Sequence, residues 1–449
     1  MKVAKFGGTS LANAQQMQKV CSIVLADPDR KIVVVSAPGK RYSGDTKVTD
    51  LLIACANTYW EKGQAGEELQ AVVSRYDEIV QELNLPKQVT EQIASDLQER
   101  LFTRERCTKE RFMDRMKAAG EDHCAKIVAH YLQSLGKRAE YVHPGNAGMI
   151  VSDEPGNAQI LPDSYAKLRE LRNREGILVF PGFFGYSIDG EVVTFSRGGS
   201  DITGSIVAAA IEADLYENFT DVDSVYAVNP NLVANPYQIE EITYREMREL
   251  SYAGFSVFHE EALVPAFRAG IPVCIKNTNN PMAPGTRIVS ERKITSKPVA
   301  GIAGDAGFCS IYLSKYLMNR EIGFGRRLLQ ILEAEGLSYE HTPSGIDNIS
   351  VILREDQLDP VLEHKLIHRI QEELKVDEVT IVHKLALVMI VGEGMRSSVG
   401  TTARATTALA KKKINIEMIN QGSSEVSIMF GVQAKDVDDA VVALYQEFF

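Results

Sequence analysis

The sequence predicts an α/β protein in which a three-layer domain is followed by two smaller βαββαβ units. Three observations support this prediction. From residue 1 to about 295, short β-rich apolar runs alternate with helix-like runs, an order typical of helices packed on both faces of a sheet. Within that stretch, residues 60–135 are polar, charged and periodic like helices. From residue 296 onwards, the chain repeats itself.

The predicted strands of the first domain are short and continuously apolar. Strands that are buried on both faces of a sheet have this pattern. The runs that show it most clearly are 3–6, 32–35, 177–180 and 192–195. Helical patterns lie between them, beginning with 10–27 and 49–59. We therefore expect a helix-covered sheet over residues 1–295, with residues 60–135 as a helical subregion.

The repeat in the remainder of the chain has a period of 77 residues. At this shift, residues 337–340 align with 414–417, and residues 349–351 align with 426–428, without a gap. Each copy reads strand, glycine-led helix, strand, glycine turn, strand, helix, which is the order of a βαββαβ sandwich. We expect one unit at 296–380 and a second at 381–449, and we allow for strands exchanged between the two.

Composition and charge exclude several classes of protein. The chain has 45% hydrophobic and 24% charged residues, as globular domains do. Its 49 basic and 60 acidic residues give a net charge of −11, and an acidic surface repels a phosphate backbone. The six cysteines have no zinc-like spacing, and the apolar runs are short for a membrane span. We expect a cytoplasmic protein that binds neither nucleic acid nor membrane and has no metal site of its own.

Two glycine pairs at predicted helix starts indicate anion binding. The first is Lys5-Phe6-Gly7-Gly8-Thr9-Ser10 and the second is Arg197-Gly198-Gly199-Ser200-Asp201. Glycines let backbone amides approach an anion, and a helix N-terminus favours negative charge. A simple tight turn is the alternative for the first loop, and a helix cap formed by Ser200 or Asp201 is the alternative for the second. If both loops face one crevice, they predict a phosphoryl-transfer site.

A third segment, Asn218-Phe219-Thr220-Asp221-Val222-Asp223-Ser224-Val225-Tyr226, is rich in hydroxyl and carboxylate groups. By itself it reads as a turn. Beside a nucleotide, these groups could meet a ribose, an adenine edge or a magnesium ion.

These motifs in this order resemble the aspartate kinases of the amino acid kinase superfamily. The resemblance extends to Asn-Pro-x-x-Pro-Gly-Thr at 280–286, and the doubled C-terminal unit resembles the paired ACT domains of that family. It implies phosphorylation of the side-chain carboxylate of L-aspartate by ATP and Mg²⁺, the first step of lysine, threonine and methionine synthesis. A carboxylate is ionised at neutral pH, so such a reaction needs charge neutralisation and positioning rather than a general base.

The resemblance also implies roles for particular residues. Lys5 would neutralise the transferring phosphate, and Arg197 would hold the substrate α-carboxylate. Glu121 would bind the substrate amino group, although the residue alone reads as a solvated glutamate at a helix start. Thr49 would contact the substrate, although it also reads as an N-cap. Ser200 and Asp201 would complete the substrate pocket, and the nucleotide would be bound by Lys5, Gly7, Gly8, Ser10, Thr220, Asp221, Tyr226, Asn231 and Ser256.

Two of the expected nucleotide positions, Asn231 and Ser256, carry uncharged side chains where many relatives have basic ones, and Lys276 is a candidate to replace one of them. The ACT pair implies feedback inhibition by lysine, alone or together with threonine, in a homodimer or homotetramer. The expected effector-binding residues are Met318, Phe324, Gly325, Ser338, Tyr339 and Glu340. The alternative function is a non-catalytic sensor that binds an amino acid through the ACT pair.

Overall fold

The computed structural model describes residues 1–255, 260–293 and 297–449. The chain forms two compact units. The first contains residues 1–225, 238–247 and the described part of 256–292, and the second contains residues 226–237, 248–255 and the described part of 293–449. Within the described residues, no helix combines the length and apolar character needed to cross a membrane.

The first unit is built on a mixed sheet of eight strands, counted over the described residues, in the order β3-β4-β2-β1-β7-β9-β10-β8. Neighbouring strands run parallel except β9 and β10. The strands of this unit are β1 (Lys2–Phe6), β2 (Arg30–Val35), β3 (Ala139–Tyr141), β4 (Ile177–Pro181), β5 (Phe184–Tyr186), β6 (Val192–Thr194), β7 (Leu215–Thr220), β8 (Glu241–Thr243), β9 (Val273–Asn277) and β10 (Thr286–Val289).

Helices cover this sheet, as the continuous apolar strands predict. Side chains of the central strands are fully buried, including Val3, Phe6, Val33 and Val35. The helices that begin in this unit are α1 (Ala14–Leu25), α2 (Val48–Lys62), α3 (Gly66–Glu82), α4 (Gln88–Leu101), α5 (Lys109–Ser134), α6 (Pro144–Ala147), α7 (Asp163–Leu168), α8 (Gly199–Ala210), α9 (Tyr244–Tyr252) and α10 (Val264–Ala269). Helices α3, α4 and most of α5 account for the helical pattern of residues 60–135.

One predicted strand lies outside the main sheet. Strand β6 pairs only with β5, in a separate antiparallel hairpin. The carboxylate of Asp114 on α5 accepts hydrogen bonds from the backbone and hydroxyl of Thr194 and from the amide of Gly156. The buried carboxylate of Asp114 thus satisfies polar groups of Thr194 that a neighbouring strand would otherwise satisfy. The apolar run at 192–195 can therefore be buried without joining the large sheet.

The second unit contains a five-stranded antiparallel sheet in the order β12-β11-β13-β15-β14. Its strands are β11 (Gly301–Ser314), β12 (Asn348–Arg354), β13 (Glu378–Val391), β14 (Met418–Asn420) and β15 (Ser427–Gln433), and its helices are α11 (Phe324–Ala334), α12 (Pro360–Leu374), α13 (Thr401–Lys411) and α14 (Val437–Phe448). A shift of 77 residues maps β11 onto β13 and α11 onto α13, end to end, as expected for a duplicated unit.

Two apolar cores share the long strands of this sheet. Ile302 packs in one core with Val388 and Phe430, whereas Ile311 packs in the other with Leu328. Residues 301–306 therefore serve the core built mainly from residues 386–448, and the first half of β13 serves the other core. The boundary at residue 380 remains a prediction, because β13 runs through it without interruption.

The two copies differ where the sequence predicts the second strand of the first copy. Residues 338–347 form only isolated bridges, His341 with Ile352 and Ser344 with Ile349. The equivalent part of the second copy forms β14. Pro343 has no amide hydrogen to donate to a sheet, which accounts for the interruption.

Candidate active site

A cleft of about 430 Å³ in the first unit brings together residues that are far apart in the sequence. Its walls come from the end of β1, the start of α2, the middle of α5 and the loop that leads into α8. Six of the predicted substrate and catalytic residues line it: Lys5, Thr49, Glu121, Arg197, Ser200 and Asp201.

An ion pair connects the two glycine loops. The ammonium of Lys5 lies 2.5 Å from a carboxylate oxygen of Asp201. The side-chain amide of Asn218 donates to the same oxygen, at 2.6 Å. Lys5 ends β1, Asn218 lies beside it on β7, and Asp201 lies in the first turn of α8. The sheet therefore places one buried cation at the point where the two loops meet.

The first loop is tightly packed. The amide of Gly7 donates to the carbonyl of Phe219 at 3.1 Å, and Ser10 forms a buried 2.7 Å hydroxyl contact with Thr278. A Cβ on Gly7 would lie 3.6 Å from the Lys5 ammonium. The backbone of Gly7 therefore lies directly beside the buried ammonium, and glycine adds no side chain there.

The second loop begins α8 without a side-chain cap. Gly198 has a φ of 82°, which favours glycine, and no side-chain hydrogen bond caps the helix. Ser200 and Asp201 lie inside the first turn, so the expectation that one of them is the cap is wrong. Ser200 instead packs against Gly182, where a Cβ would approach its hydroxyl to 2.6 Å.

Arg197 is an exposed cation of the cleft. Its side chain forms an ion pair with none of the residues that the structure describes. Two further cations that the sequence analysis missed also line the cleft, Lys47 and Lys117. Lys117 lies one turn before Glu121 on α5, so helical spacing from Glu121 could have identified it.

Glu121 is a buried carboxylate in the middle of α5, with 5% of its surface exposed. The interpretation of this residue as a solvated glutamate at a helix start is therefore wrong. Burial raises its pKa to about 8, although the charges of Lys5 and Lys47 act in the opposite direction. Its Oε2 atom has no hydrogen-bond partner among the described residues. A buried carboxyl group with one oxygen left without a partner is suited to bind a cationic group.

Thr49 is the second residue of α2, whose N-cap position is Lys47. The N-cap interpretation of Thr49 is therefore wrong, and its side chain lines the cleft. Among the nucleotide candidates, Thr220 ends β7 and its hydroxyl donates to Asp221 at 3.2 Å. Lys276 on β9 pairs with Phe219 on the neighbouring strand β7.

The remaining nucleotide candidates are Tyr226, Asn231 and Ser256. Tyr226 and Asn231 are in the second unit, and Ser256 lies outside the described residues.

One cluster of potential metal ligands is found among the described residues, formed by Asp96, Asp122 and His123. Arg100 forms ion pairs with both carboxylates, and Lys126 forms one with Asp122. These two cations already neutralise the cluster, so its geometry is that of a buried ion network rather than of a magnesium site.

The predicted effector-binding residues lie in the second unit. Met318 in the 3₁₀ turn Met318–Arg320 and Phe324 at the start of α11 are both buried and pack in the core with Leu328. Ser338 exchanges hydrogen bonds with Gln357, whereas Tyr339 is 46% exposed. The hydroxyl of Tyr252 donates to Glu340, and Gly325 lies in the first turn of α11.

Comparison with known families defines the class of protein. Residues 1–277 match the amino acid kinase family, and residues 388–448 match the ACT domain. The first match covers more than half of the chain. The cleft with its two glycine loops therefore belongs to an amino acid kinase, and the second copy of the C-terminal repeat belongs to the ACT domains.

Individual relatives narrow this class. The chain is 63% identical to Aspartokinase 3 of Bacillus subtilis over 449 residues, which covers 100% of this chain and 99% of the relative. Its structure is similar to that of Clostridium acetobutylicum aspartate kinase, with a TM-score of 0.88, 39% identity and full coverage of both chains. The chain belongs to the aspartokinase family and is an aspartate kinase, which excludes the non-catalytic sensor.

Escherichia coli aspartokinase III is a further structural relative at 26% identity. Its complex with aspartate and ADP has a TM-score of 0.80 and covers 100% of both chains. Its complex with lysine and aspartate, a T-state, has a TM-score of 0.78 and covers 100% of this chain and 99% of the other.

Proposed function

We propose that the cleft transfers the γ-phosphoryl group of ATP to the side-chain carboxylate of L-aspartate and thereby forms 4-phospho-L-aspartate and ADP. The bond between the γ-phosphorus and the bridging oxygen breaks as a carboxylate oxygen bonds to that phosphorus. The Lys5–Asp201 ion pair is the observation that carries this proposal, because it joins the two anion-binding loops. The aspartate and ADP in the Escherichia coli relative support the same pair of ligands.

The substrate is held by charges that complement its own. Arg197, exposed in the cleft, binds the α-carboxylate with two parallel hydrogen bonds. Glu121, buried and unpaired at Oε2, accepts the ammonium. Ser200 and Thr49 add hydroxyl contacts from the cleft wall. An amino acid with one carboxylate lacks the acceptor oxygen, which makes a dicarboxylic amino acid the fitting substrate.

The nucleotide phosphates lie against the first loop. The backbone at Gly7 and Gly8, with Ser10, surrounds them, and Lys5 neutralises the charge that develops on the transferring group. Thr220 and Asp221 contact the nucleoside from the end of β7, and Tyr226, Asn231 and Ser256 remain proposed contacts.

Magnesium, when bound, neutralises the nucleotide phosphates. The donor set of the cleft fits a metal that is held mainly by those phosphates. One carboxylate oxygen of Asp201 already accepts from Lys5 and Asn218, which leaves its other oxygen as a candidate ligand. The role of the protein is then to position the phosphates.

The regulatory proposal is feedback inhibition by lysine, alone or together with threonine. The proposed binding residues are Met318, Phe324, Gly325, Ser338, Tyr339 and Glu340, and the ACT region is proposed to form a homodimer or homotetramer. Support comes from the lysine complex of the Escherichia coli relative. An effector of this kind acts through its different affinities for two states, typically by about 1–3 kcal/mol.

Trapping of the acyl phosphate tests both proposals. Purified protein is incubated with ATP, magnesium, aspartate and hydroxylamine, and the hydroxamate is measured with and without lysine and threonine. We expect aspartate-dependent hydroxamate that lysine suppresses. Activity that responds to neither effector would contradict the regulatory proposal, and glutamate used as well as aspartate would contradict the substrate.

A further inference from the structure

An arginine of the helical subregion contacts the loops that follow β1 and β2 in the interior of the first unit. Arg75 on α3 is only 4% exposed. Its Nη2 atom lies 2.8 Å from the carbonyl oxygen of Ala12, 2.9 Å from that of Gly39 and 3.3 Å from a carboxylate oxygen of Asp45. One guanidinium nitrogen thus joins three separate segments of the chain.

These partners are not those of an ordinary stabilising ion pair. Asp45 already receives hydrogen bonds from the backbone, Nε and Nη2 of Arg41, each at 2.9 Å. Arg75 lies closer to the two neutral carbonyls, at 2.8 and 2.9 Å, than to this carboxylate, at 3.3 Å. Its buried Nε has no partner among the described residues. Burial of a cation in such a place costs free energy, so the contact is better explained by the geometry that it imposes.

The two carbonyls belong to the loops that follow β1 and β2. Ala12 comes directly after the 3₁₀ turn Gly8–Leu11, which continues the first glycine loop. The amide of Gly39 donates to the carbonyl of Gly8 at 2.8 Å, and a Cβ on Gly39 would lie 2.6 Å from the carbonyl carbon of Gly8. By donating to both carbonyls, Arg75 adds a second connection between the loop after β1 and the loop after β2.

The same segment leads into the substrate side of the cleft. The carbonyl of Pro38 accepts the amide of Val48 at 3.0 Å, and α2 carries Thr49 in its first turn. Asp45, held by Arg41 and Arg75, anchors the turn just before Lys47. Arg75 therefore links the segment before α2 to the glycine loop after β1.

We infer that Arg75 is a positioning residue for phosphoryl transfer, which clamps the glycine loop after β1 to the loop after β2 and so sets the distance between phosphate and carboxylate. The inference rests on the proposed role of Gly7 and Gly8 in phosphate binding. Phosphoryl transfer depends strongly on such alignment, because a displacement of about 1 Å can cost about 100-fold in rate.

A matched control is available at the opposite end of the sheet. Arg30 begins β2, and its guanidinium contacts Glu217 at 2.5 and 2.9 Å and the carbonyl of Ile23 at 2.7 Å. Its side chain is also largely buried, at 11% exposure. The guanidinium also lies 5.4 Å from the centroid of the Phe219 ring, but its hydrogen bonds go to Glu217 and Ile23, which belong to neither loop that Arg75 contacts. Arg30→Lys should therefore destabilise the same sheet while leaving the hydrogen bonds between the loops after β1 and β2 in place.

The test compares Arg75→Lys with Arg30→Lys in the full-length enzyme. Melting temperature, kcat and the KM values for aspartate and ATP are measured well below both melting temperatures. We expect Arg75→Lys to lower kcat by about 10- to 100-fold and to change the KM for aspartate by a smaller factor, because Arg197 and Glu121 are untouched and only Thr49 follows the segment that Arg75 holds. Arg30→Lys should lower the melting temperature with kcat nearly unchanged.

Either of two results would overturn the inference: a kcat within about twofold of wild type for Arg75→Lys, or equal losses of kcat in the two variants at equal loss of stability. If Arg75→Lys does not fold, Asp45→Asn provides a second measurement on the same clamp and should also lower kcat more than the KM for aspartate. An inactive wild-type enzyme would contradict the proposed function instead, so the two failures are distinguishable.

Discussion

The two glycine loops of the catalytic unit share a Gly-Gly pair but differ in what surrounds it. The first loop is held on several sides: Gly39 packs against Gly8, and Lys5 is buried in an ion pair with Asp201. The second loop has Gly198 in a left-handed conformation, and its cation, Arg197, is exposed and forms an ion pair with none of the described residues.

This difference suits the two cations to different roles, one in the chemical step and one in substrate binding. A buried, paired lysine is already in position before the substrate arrives, so it can stabilise charge that develops during the reaction without reorganisation. An exposed arginine remains available to form new hydrogen bonds with a substrate carboxylate. The first loop should therefore affect mainly kcat, and the second should affect mainly the affinity for aspartate.

The largest expected effect comes from Lys5→Met. Loss of the cation at the transferring phosphate should lower kcat by about 100- to 1000-fold, measured by hydroxamate formation at saturating substrates. The variant also leaves Asp201 without its partner. The double variant Lys5→Met/Asp201→Asn separates the two effects: if the double variant regained most of the activity, Lys5 would serve only to neutralise Asp201.

Arg197→Ala should act on aspartate rather than on ATP. Loss of a charge-assisted contact worth about 1.5–3 kcal/mol predicts a rise of about 10- to 150-fold in the KM for aspartate. The KM for ATP should change little. Arg197→Lys retains the charge without the planar pair of donors, so its KM for aspartate should lie between those of the wild type and Arg197→Ala. Equal effects on both KM values would remove the distinction between the loops.

Gly39→Ala tests the packing of the first loop. A Cβ at residue 39 would lie 2.6 Å from Gly8, so we expect about 1–3 kcal/mol of destabilisation from overpacking together with a reduced kcat. Gly66→Ala is the control, since a Cβ there has open space around it at the start of α3. Chemical denaturation of both variants measures the difference, and a Gly39→Ala enzyme as stable and active as wild type would show that the loop is not tightly held.

The smallest effect concerns Glu121 and protons. Burial raises its pKa from 4.5 to about 8, so the free enzyme at pH 7 holds this carboxyl mainly in its protonated form. An ammonium bound beside it favours ionisation. Aspartate binding should therefore release up to about 0.9 proton per site at pH 7. Calorimetry in two buffers of different ionisation enthalpy measures this release.

The same shift has a consequence for the stability of the free enzyme. Because the folded-state pKa lies above the unfolded value, the folded chain binds more protons between pH 4.5 and about 8, and stability falls as pH rises through that window. Glu121→Gln should abolish both the proton release and this part of the pH dependence. Proton release that persists in Glu121→Gln would assign it to another group.

Much of the architecture is determined by local patterns in the sequence. Continuous apolar runs predict β1, β2 and β4 because strands buried on both faces need no polar side, and the period of 77 residues predicts a duplicated unit, which the matching bounds of β11 and β13 confirm. The two glycine loops were also visible, since glycine pairs before helices indicate close backbone approach to an anion.

Tertiary structure alone decided the rest, because the deciding interactions join residues far apart in the chain. The burial of Glu121, the Lys5–Asp201 pair and the reach of Arg75 to two loops depend on how α3, α5 and α8 pack, and no local spacing encodes them. Likewise, the place of β6 outside the main sheet depends on Asp114, 80 residues earlier. A local pattern predicts which residues prefer burial, but only tertiary packing determines which partner satisfies each buried polar group.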